Sequence, residues 1–244
     1  EEQRLVGGER FHHLGGDRAP APLTAHRVDQ PGGRLEALLE MPASRGITAD
    51  GLVASGAPDG IRAAVVLGHP HPQFGGTMHT KGIYHTAKGL TRIGCAVLRF
   101  NFRGVGKSEG TWDEGAGERE DFCAALDVMA ARFPTTPLWA GGMSFGSWIG
   151  LNVGVDDDRV STLLGVAAPV NKWDFERVAV STKPKFFIHG EMDEICGFKE
   201  INAFYARAAD PKELVIIDTS DHLFNGVVSE VADAVEELLG DWNG

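Results

Sequence analysis

The chain has 244 residues and a formal net charge of −11, from 34 acidic and 23 basic side chains. Hydrophobic residues make up 43% of it, a globular composition that excludes a disordered or collagen-like chain. The acidic balance argues against electrostatic binding to nucleic acid or to an anionic membrane, and no apolar run is long enough to cross a bilayer.

The first residues show neither the basic start nor the apolar run of a secretion signal. Three cysteines without CxxC spacing favour neither a disulfide framework nor a zinc ribbon, and we expect a reducing, cytoplasmic setting. Residues 1–23 show no periodicity and are predicted to form an irregular N-terminal segment. A single domain is predicted over residues 24–244. It begins with two short strands between 24 and 41, around a turn at 31–33, followed by a loop at 42–60.

From residue 62 onwards, apolar runs of strand length alternate with amphipathic stretches of helix length. Strands are predicted at 62–67, 96–100, 137–141, 161–167, 185–188 and 213–218, and helices at about 78–92, 118–132, 145–154, 197–208 and 227–240. This alternation predicts an α/β fold with a mostly parallel sheet and helices on both faces. Ligands of such sheets bind beyond the carboxyl ends of the strands, so those ends are the places to look for chemistry.

A GxSxG motif follows the strand predicted at 137–141 and precedes a predicted helix. In that context, Gly142, Ser144 and Gly146 indicate a nucleophile elbow, in which a sharp turn strains the serine backbone and presents its hydroxyl above the sheet. A glycine-rich turn whose serine only caps the next helix is the simpler interpretation.

A serine hydroxyl needs a base, usually a histidine, and the histidine needs an acid that fixes its tautomer. His222 follows the last predicted strand and precedes the last helix, and Asp193 follows the strand before it. Ser144, Asp193 and His222 therefore occur in the order serine, acid, histidine that is typical of α/β hydrolases. Alternative acids in these two loops are Glu191, Glu194 and Asp221.

The loop after the strand at 62–67 reads HPHPQFGG. An oxyanion hole needs a backbone N–H from this loop beside that of the residue after the nucleophile, which is Phe145. Because proline has no N–H, His71 is the favoured donor, with Gln73 as the alternative. His69 and His71 also have HxH spacing, but two histidines are too few ligands for a zinc site, and we expect no metal and no cofactor.

The segment RGVGKS at 103–108 imitates a phosphate-binding loop. That motif requires a glycine four residues before the GK pair, and Asn101 stands there instead. The segment that follows, SEGTWDEGAG, is not an immediate helix either, so nucleotide binding is not expected.

Five blocks occur in order: HPHPQFGGTMHTKG, RFNFRGVGKSEG, GGMSFGSWIG, HGEMDEI and DHLFNG. Together they resemble the small uncapped α/β hydrolases of bacteria, relatives of the dienelactone hydrolases and carboxylesterases, over about residues 62–241. The resemblance implies an α/β-hydrolase fold without a large lid domain. It also implies that Ser144 is the nucleophile, Asp193 the acid and His222 the base, and that Phe145 and His71 form the oxyanion hole. Dienelactone hydrolases proper use a cysteine nucleophile, so their substrate is not transferred.

We therefore expect a serine hydrolase, namely a carboxylesterase that acts on small-molecule esters. A peptidase or amidase, a thioesterase, or a noncatalytic binding protein with the same fold are the alternatives, and a homodimer is one option for the oligomeric state. The connection at 169–184 is too short for a helical lid, which predicts an open site. Trp173 and Phe175 are candidates for one wall of that site.

Overall fold

The computed structural model describes residues 4–6, 23–30, 32–43 and 60–242. Its strands are β1 (Arg4–Val6), β2 (Leu23–Gln30), β3 (Gly33–Glu40), β4 (Ala64–Gly68), β5 (Ala96–Phe100), β6 (Leu138–Met143), β7 (Val160–Val166), β8 (Lys185–Gly190) and β9 (Lys212–Ile217). Its helices are α1 (Lys81–Arg92), α2 (Ala116–Arg132), α3 (Phe145–Asp156), α4 (Glu176–Val180), α5 (Phe198–Arg207) and α6 (Glu230–Leu239), with a short 3-10 helix at Pro72–Phe74. None of the helices in these ranges has the length and apolar character needed to cross a membrane.

Within the described ranges, nine strands form one sheet in the order β1-β9-β8-β7-β6-β4-β5-β3-β2. β3 pairs antiparallel with both β2 and β5, and every other pairing in the sheet is parallel. The structure therefore confirms the predicted α/β architecture with a mostly parallel sheet. The carboxyl ends of β4 to β9 all lie along one edge, where the loops that follow them meet.

The two faces of the sheet bury separate hydrophobic clusters, because successive side chains of a strand point to opposite sides. Val65 and Phe186 belong to the cluster packed by α1 and α6, whereas their neighbours Val66 and Phe187 belong to the cluster packed by α2, α3, α4 and α5. The helices predicted from periodicity thus cover both faces. On α2 and just after it, one stripe of side chains at spacings of four, three and four is buried, and consists of Phe122, Leu126, Met129 and Phe133.

One difference from the sequence prediction lies near the N-terminus. In place of the irregular segment expected at 1–23, Arg4–Val6 form β1 and pair in parallel with Val215–Ile217 of β9. Three residues are too few to show an alternating pattern, and their strand conformation depends on the backbone groups that β9 offers at its outer edge. Residues 1–3 and 7–22, and most of the loop predicted at 42–60, lie outside the described residues.

The connection between β7 and β8 is short, as predicted. It contains only the five-residue helix α4 and no helical hairpin over the carboxyl edge of the sheet. Among the described residues, nothing inserted between these strands covers the site as a lid domain would.

Candidate active site

Ser144 occupies the turn between β6 and α3 with φ 53° and ψ −121°, a strained conformation for a residue with a side chain. The tightness of the turn explains its two glycines. A Cβ built on Gly142 would collide with the backbone of Gly146, and one built on Gly146 would collide with the carbonyl of Gly68. The Ser144 hydroxyl does not cap α3, so the simpler interpretation of the motif is wrong.

The Ser144 hydroxyl instead faces a histidine. Its Oγ lies 2.9 Å from Nε2 of His222, and Nδ1 of the same ring lies 2.8 Å from Oδ2 of Asp193. With the Nδ1 proton donated to the carboxylate, Nε2 is free to accept the hydroxyl proton. Asp193 is in the loop after β8 and His222 in the loop after β9, so three separate loops at the carboxyl edge supply this hydrogen-bonded chain.

The surroundings of Asp193 keep it ionised. Its Oδ1 accepts the N–H groups of Ile195 (2.8 Å) and Cys196 (2.9 Å), while Oδ2 faces His222. Burial alone would raise the pKa of Asp193, but the hydrogen bond from His222 and the further interactions outweigh it and hold the pKa below its usual value. A buried anion at this position stabilises a positive charge on the neighbouring imidazole.

The three alternative acids have other partners. Glu191 accepts the N–H of Thr219, and Glu194 accepts the backbone N–H of His222 rather than a ring proton. Asp221 accepts the N–H groups of Leu223 and Asn225. The contacts of Glu191 and Glu194 join the loop after β8 to the loop after β9, whereas those of Asp221 lie within one loop. Asp193 is the carboxylate that contacts the His222 ring.

The backbone N–H groups of both predicted oxyanion-hole residues lack a hydrogen-bond partner among the described residues. Phe145 is the first residue of α3, where a helix leaves its N–H without an internal partner, and His71 precedes the 3-10 helix. The rings of these two residues lie 5.1 Å apart, centroid to centroid. The N–H of Gln73 donates to Nδ1 of His71, so the alternative donor is already engaged.

His69 does not act as a ligand in this arrangement. Its Nδ1 lies 2.6 Å from the carbonyl of Pro70, and its Nε2 accepts the N–H of Phe102 at 3.1 Å, so both ring nitrogens are used. Burial is the main reason that the pKa of His69 falls to about 4. Among the described residues, no group of three or more His, Cys, Asp or Glu side chains could hold a metal ion.

The GKS segment binds a carboxylate of the protein itself. The N–H of Lys107 and the side-chain amide of Asn101 both donate to Oε2 of Glu36, each at 2.9 Å. The hydroxyl of Ser108 donates to the carbonyl of Asn101 at 2.6 Å and accepts the N–H of Glu36. The next helix, α2, begins only at Ala116. The position that a phosphate would need is therefore taken by Glu36, on β3.

Of the two residues predicted to line a wall, the structure brings only one to the site. Trp173 is half-buried and lies 5.6 Å from the Phe145 ring, whereas Phe175 is buried in the core, 6.0 Å from Phe204. The sequence analysis did not assign a role to Trp112, whose ring lies 5.1 Å from Phe145. No local pattern distinguishes this tryptophan, because its position depends on a long loop after β5.

The sequence analysis also missed His189, a buried residue at the end of β8. Its Nε2 donates to the carbonyl of Cys196 at 2.6 Å and lies 3.5 Å from Oδ2 of Asp193. Burial lowers the pKa of His189, which keeps the ring neutral, so it supports the loop around Asp193 without adding a second charge.

The comparisons with known proteins point to the α/β serine hydrolases. The family model described as serine aminopeptidase, S33, matches residues 60–177, which include His71 and Ser144. The chain is 34% identical over 185 residues to the uncharacterized protein RP471 of Rickettsia prowazekii, covering 72% of this chain and 77% of that protein.

Two solved structures are similar over most of their length. One is an α/β serine hydrolase homologue from Coxiella burnetii, with 32% identity and a TM-score of 0.78, covering 88% of this chain and 97% of that one. The other is an α/β serine hydrolase without a lid from Xanthomonas campestris, with 27% identity and a TM-score of 0.77, covering 91% of this chain and 95% of that one.

Proposed function

Because the chain belongs to the family of small α/β serine hydrolases without a lid, we propose that it is a carboxylesterase that cleaves small carboxylic esters. The observation that carries the proposal is the continuous chain from the strained Ser144 through His222 to the ionised Asp193, at 2.9 Å and 2.8 Å. A serine hydroxyl is a weak nucleophile at neutral pH, and this arrangement supplies the base that it lacks.

In the first half of the reaction, Oγ of Ser144 attacks the ester carbonyl as Nε2 of His222 takes its proton. The resulting imidazolium is stabilised by Asp193, which also holds the ring in the correct tautomer. His222 then gives the proton to the leaving alkoxide, the carbon–oxygen bond to the alcohol breaks, and an acyl-enzyme remains on Ser144.

In the second half, water replaces the alcohol. His222 takes a proton from the water as its oxygen attacks the acyl carbonyl, and returns that proton to Oγ of Ser144 as the acyl–serine bond breaks. The products are a carboxylic acid and the free enzyme. These steps use only side chains and water, and we expect EDTA to leave turnover unchanged.

Both tetrahedral intermediates carry a negative oxygen. We propose that the free N–H groups of Phe145 and His71 bind it, with Gly142 and Gly146 allowing the turn that places Phe145 beside Ser144. The N–H of Phe145 lies at the N-terminus of α3, where the helix dipole adds to the stabilisation. Donors fixed before the substrate arrives need no reorganisation as the charge develops.

A covalent probe tests whether this serine is activated. We expect a fluorophosphonate to label Ser144 in the wild-type protein, and to label neither Ser144→Ala nor His222→Ala. Ser147 in the same protein is a matched control for a serine that is not activated. Its hydroxyl donates to the carbonyl of Ser144 and is not hydrogen-bonded to a histidine base. An unlabelled wild-type protein would favour the noncatalytic binding protein over the esterase.

Peptide or amide hydrolysis is the second candidate, because the matching family model is described as a serine aminopeptidase. The same triad chemistry serves esters, thioesters and amides, so the substrate class is settled by rates and not by the fold. We expect kcat/KM to be highest for the ester when an ester, a thioester and an anilide of one acyl group are compared. A faster anilide would assign the protein to the peptidases.

We also propose a cytoplasmic location. Cys95, Cys123 and Cys196 are free thiols in the structure, and two of them are buried. Unpaired thiols are typical of a reducing compartment. Fractionation of the producing cells, with detection of the native protein, tests this location.

A further inference from the structure

One side of the candidate site is lined by aromatic rings. We use the name aromatic wall for five residues: His71, Phe74, Trp112, Phe145 and Trp173. They come from the loops after β4, β5, β6 and β7, so four separate segments contribute to one surface at the carboxyl edge of the sheet. The five residues therefore do not form one side of a single helix or strand.

The wall is continuous. The ring of His71 lies 4.7 Å from Phe74, 4.7 Å from Trp112 and 5.1 Å from Phe145, and it stacks on Trp173 at 6.1 Å. Phe145 in turn lies 5.1 Å from Trp112 and 5.6 Å from Trp173. These centroid distances are in the range at which aromatic rings interact favourably.

The wall is also partly open to solvent. Phe145 is buried, but His71, Trp112 and Trp173 are half-buried, and Phe74 is 85% exposed. The two tryptophans pack against the hydrophobic core and stay partly exposed. A purely structural cluster would gain most from complete burial, whereas these rings keep accessible surface at the carboxyl edge of the sheet.

The wall is rigid because a further tryptophan supports it. Trp148 stacks on Trp173 with an angle of 15° between the planes and 5.4 Å between the centroids, and the Arg119 guanidinium lies 5.4 Å from the Trp148 ring. A surface fixed in this way loses little conformational entropy when a ligand binds to it.

Most of the wall and His222 lie on opposite sides of the strand that carries Ser144. In the sheet, β9, which precedes His222, is on one side of β6, whereas β4 and β5, which precede His71, Phe74 and Trp112, are on the other. His222 protonates the leaving alcohol, so the alcohol must lie near its ring. None of the five wall residues lies in the loops after β8 and β9, which carry Asp193 and His222. The aromatic residues instead surround Phe145 and His71, which are the proposed oxyanion donors. The part of the ester that stays on Ser144 after the alcohol leaves is therefore the part next to the wall.

We propose that the aromatic wall selects esters whose acyl group carries a planar aromatic ring, namely arylcarboxylate esters. This inference rests on the proposed esterase function and adds the substrate class. A flat ring can stack on Trp112, Trp173 or Phe74, whereas a puckered alicyclic ring of similar size buries similar area without the aromatic interaction. Aromatic pairs gain about 3- to 10-fold in binding beyond the area that they bury.

The kinetic test compares ethyl benzoate with ethyl cyclohexanecarboxylate. Each kcat/KM is divided by the rate constant of hydroxide-catalysed hydrolysis of the same ester, which removes the difference in intrinsic reactivity. We expect a normalised preference for the benzoate of about 3- to 10-fold in the wild-type protein. In Trp112→Leu and Trp173→Leu the preference should fall towards one.

Trp242→Leu is the matched control, since this tryptophan packs against Phe186 in the other hydrophobic cluster. It should keep the preference of the wild-type protein. A wild-type preference near one, or a preference that survives in both wall variants, would overturn the inference. Fluorophosphonate labelling of Ser144 in each variant shows that a lost preference does not come from a misfolded site.

A binding test separates this inference from the proposed function. In Ser144→Ala, which cannot form an acyl-enzyme, we expect benzoate to bind about 3- to 10-fold more tightly than cyclohexanecarboxylate, as measured by ligand-observed NMR. Binding selectivity without labelling of the wild-type Ser144 would support the wall and contradict the esterase. Labelling of Ser144 with equal binding of the two acids would support the hydrolase and contradict the wall.

Discussion

Replacing His69 by glutamine removes a buried imidazole that holds the loop before His71. In the wild-type protein Nε2 of His69 accepts the N–H of Phe102, and a glutamine amide oxygen can accept the same N–H from a similar distance along the side chain. The substitution loses the contact with the carbonyl of Pro70 but also removes a group that titrates. We therefore expect His69→Gln to be less stable at pH 7 and to respond less to acid.

The size of the expected change in the free energy of unfolding follows from proton linkage. The pKa of His69 is about 4 in the folded protein, because burial disfavours the charged ring, and about 6.5 in an unfolded chain. Between these values the unfolded state binds a proton that the folded state does not, so acidification favours unfolding. The stabilisation is complete above pH 6.5 and decreases by about 1.4 kcal/mol per pH unit as the pH falls towards 4.

Urea unfolding measured at pH 7.0, 6.0, 5.0 and 4.5 gives the free energy of unfolding for both proteins. The difference between wild type and His69→Gln should change by about 2.5 kcal/mol between pH 7.0 and pH 4.5, in the direction of a less stable wild type. Other titrating groups, such as His189, are present in both proteins and cancel in the difference. His79→Gln is the control, since His79 is exposed. If the free energy of unfolding changed equally with pH in wild type and His69→Gln, the linkage would be refuted.

Two further predictions concern the proposed catalytic residues, and a third concerns the length of the acyl chain. Ser144→Ala and His222→Ala should each lower esterase kcat by at least a thousandfold, and turnover above about a tenth of wild type would place the nucleophile elsewhere. Asp193→Asn should lower kcat by about three to four orders of magnitude because it favours the wrong tautomer of His222, while Glu191→Gln and Glu194→Gln stay within about tenfold of wild type in the same assay. For p-nitrophenyl esters of straight-chain acids, kcat/KM should peak at short acyl lengths, since each methylene that an open site leaves in water forgoes roughly 0.8 kcal/mol. A steady rise up to the twelve-carbon ester would contradict an open site.

The regular elements could be predicted from the sequence because their signals are local. The strand predicted at 96–100 has those bounds in the structure, and the helix predicted at 118–132 begins two residues earlier, at Ala116. The three residues of β1 could not be predicted, because their conformation depends on pairing with β9, more than 200 residues away along the chain. Local periodicity contains no information about such a partner.

The same distinction applies to the candidate site. Ser144, Asp193 and His222 were identified because each lies in a segment that follows a predicted strand, and because their order along the chain restricts their roles. Trp112, in a loop, and His189, at the end of β8, were not, because their contribution depends on which distant side chains they meet. Phe175 is a residue to which the sequence analysis wrongly gave a place in the site. Like Trp173 it was expected to line one wall, but it is buried against Phe204.

The contact between Gly68 and Gly146 limits how the sequences of related proteins can diverge around this site. Gly68 ends the strand before the His71 loop, and Gly146 follows Ser144 by two residues. Their backbones touch with no side chain between them, since a Cβ on Gly68 would lie 3.1 Å from Cα of Gly146. The separation between the nucleophile and the oxyanion loop is thus fixed by main chain alone. In the proposed esterase, substitutions in the surrounding aromatic loops would change the acyl specificity, while the spacing between Ser144 and the His71 loop is inherited unchanged.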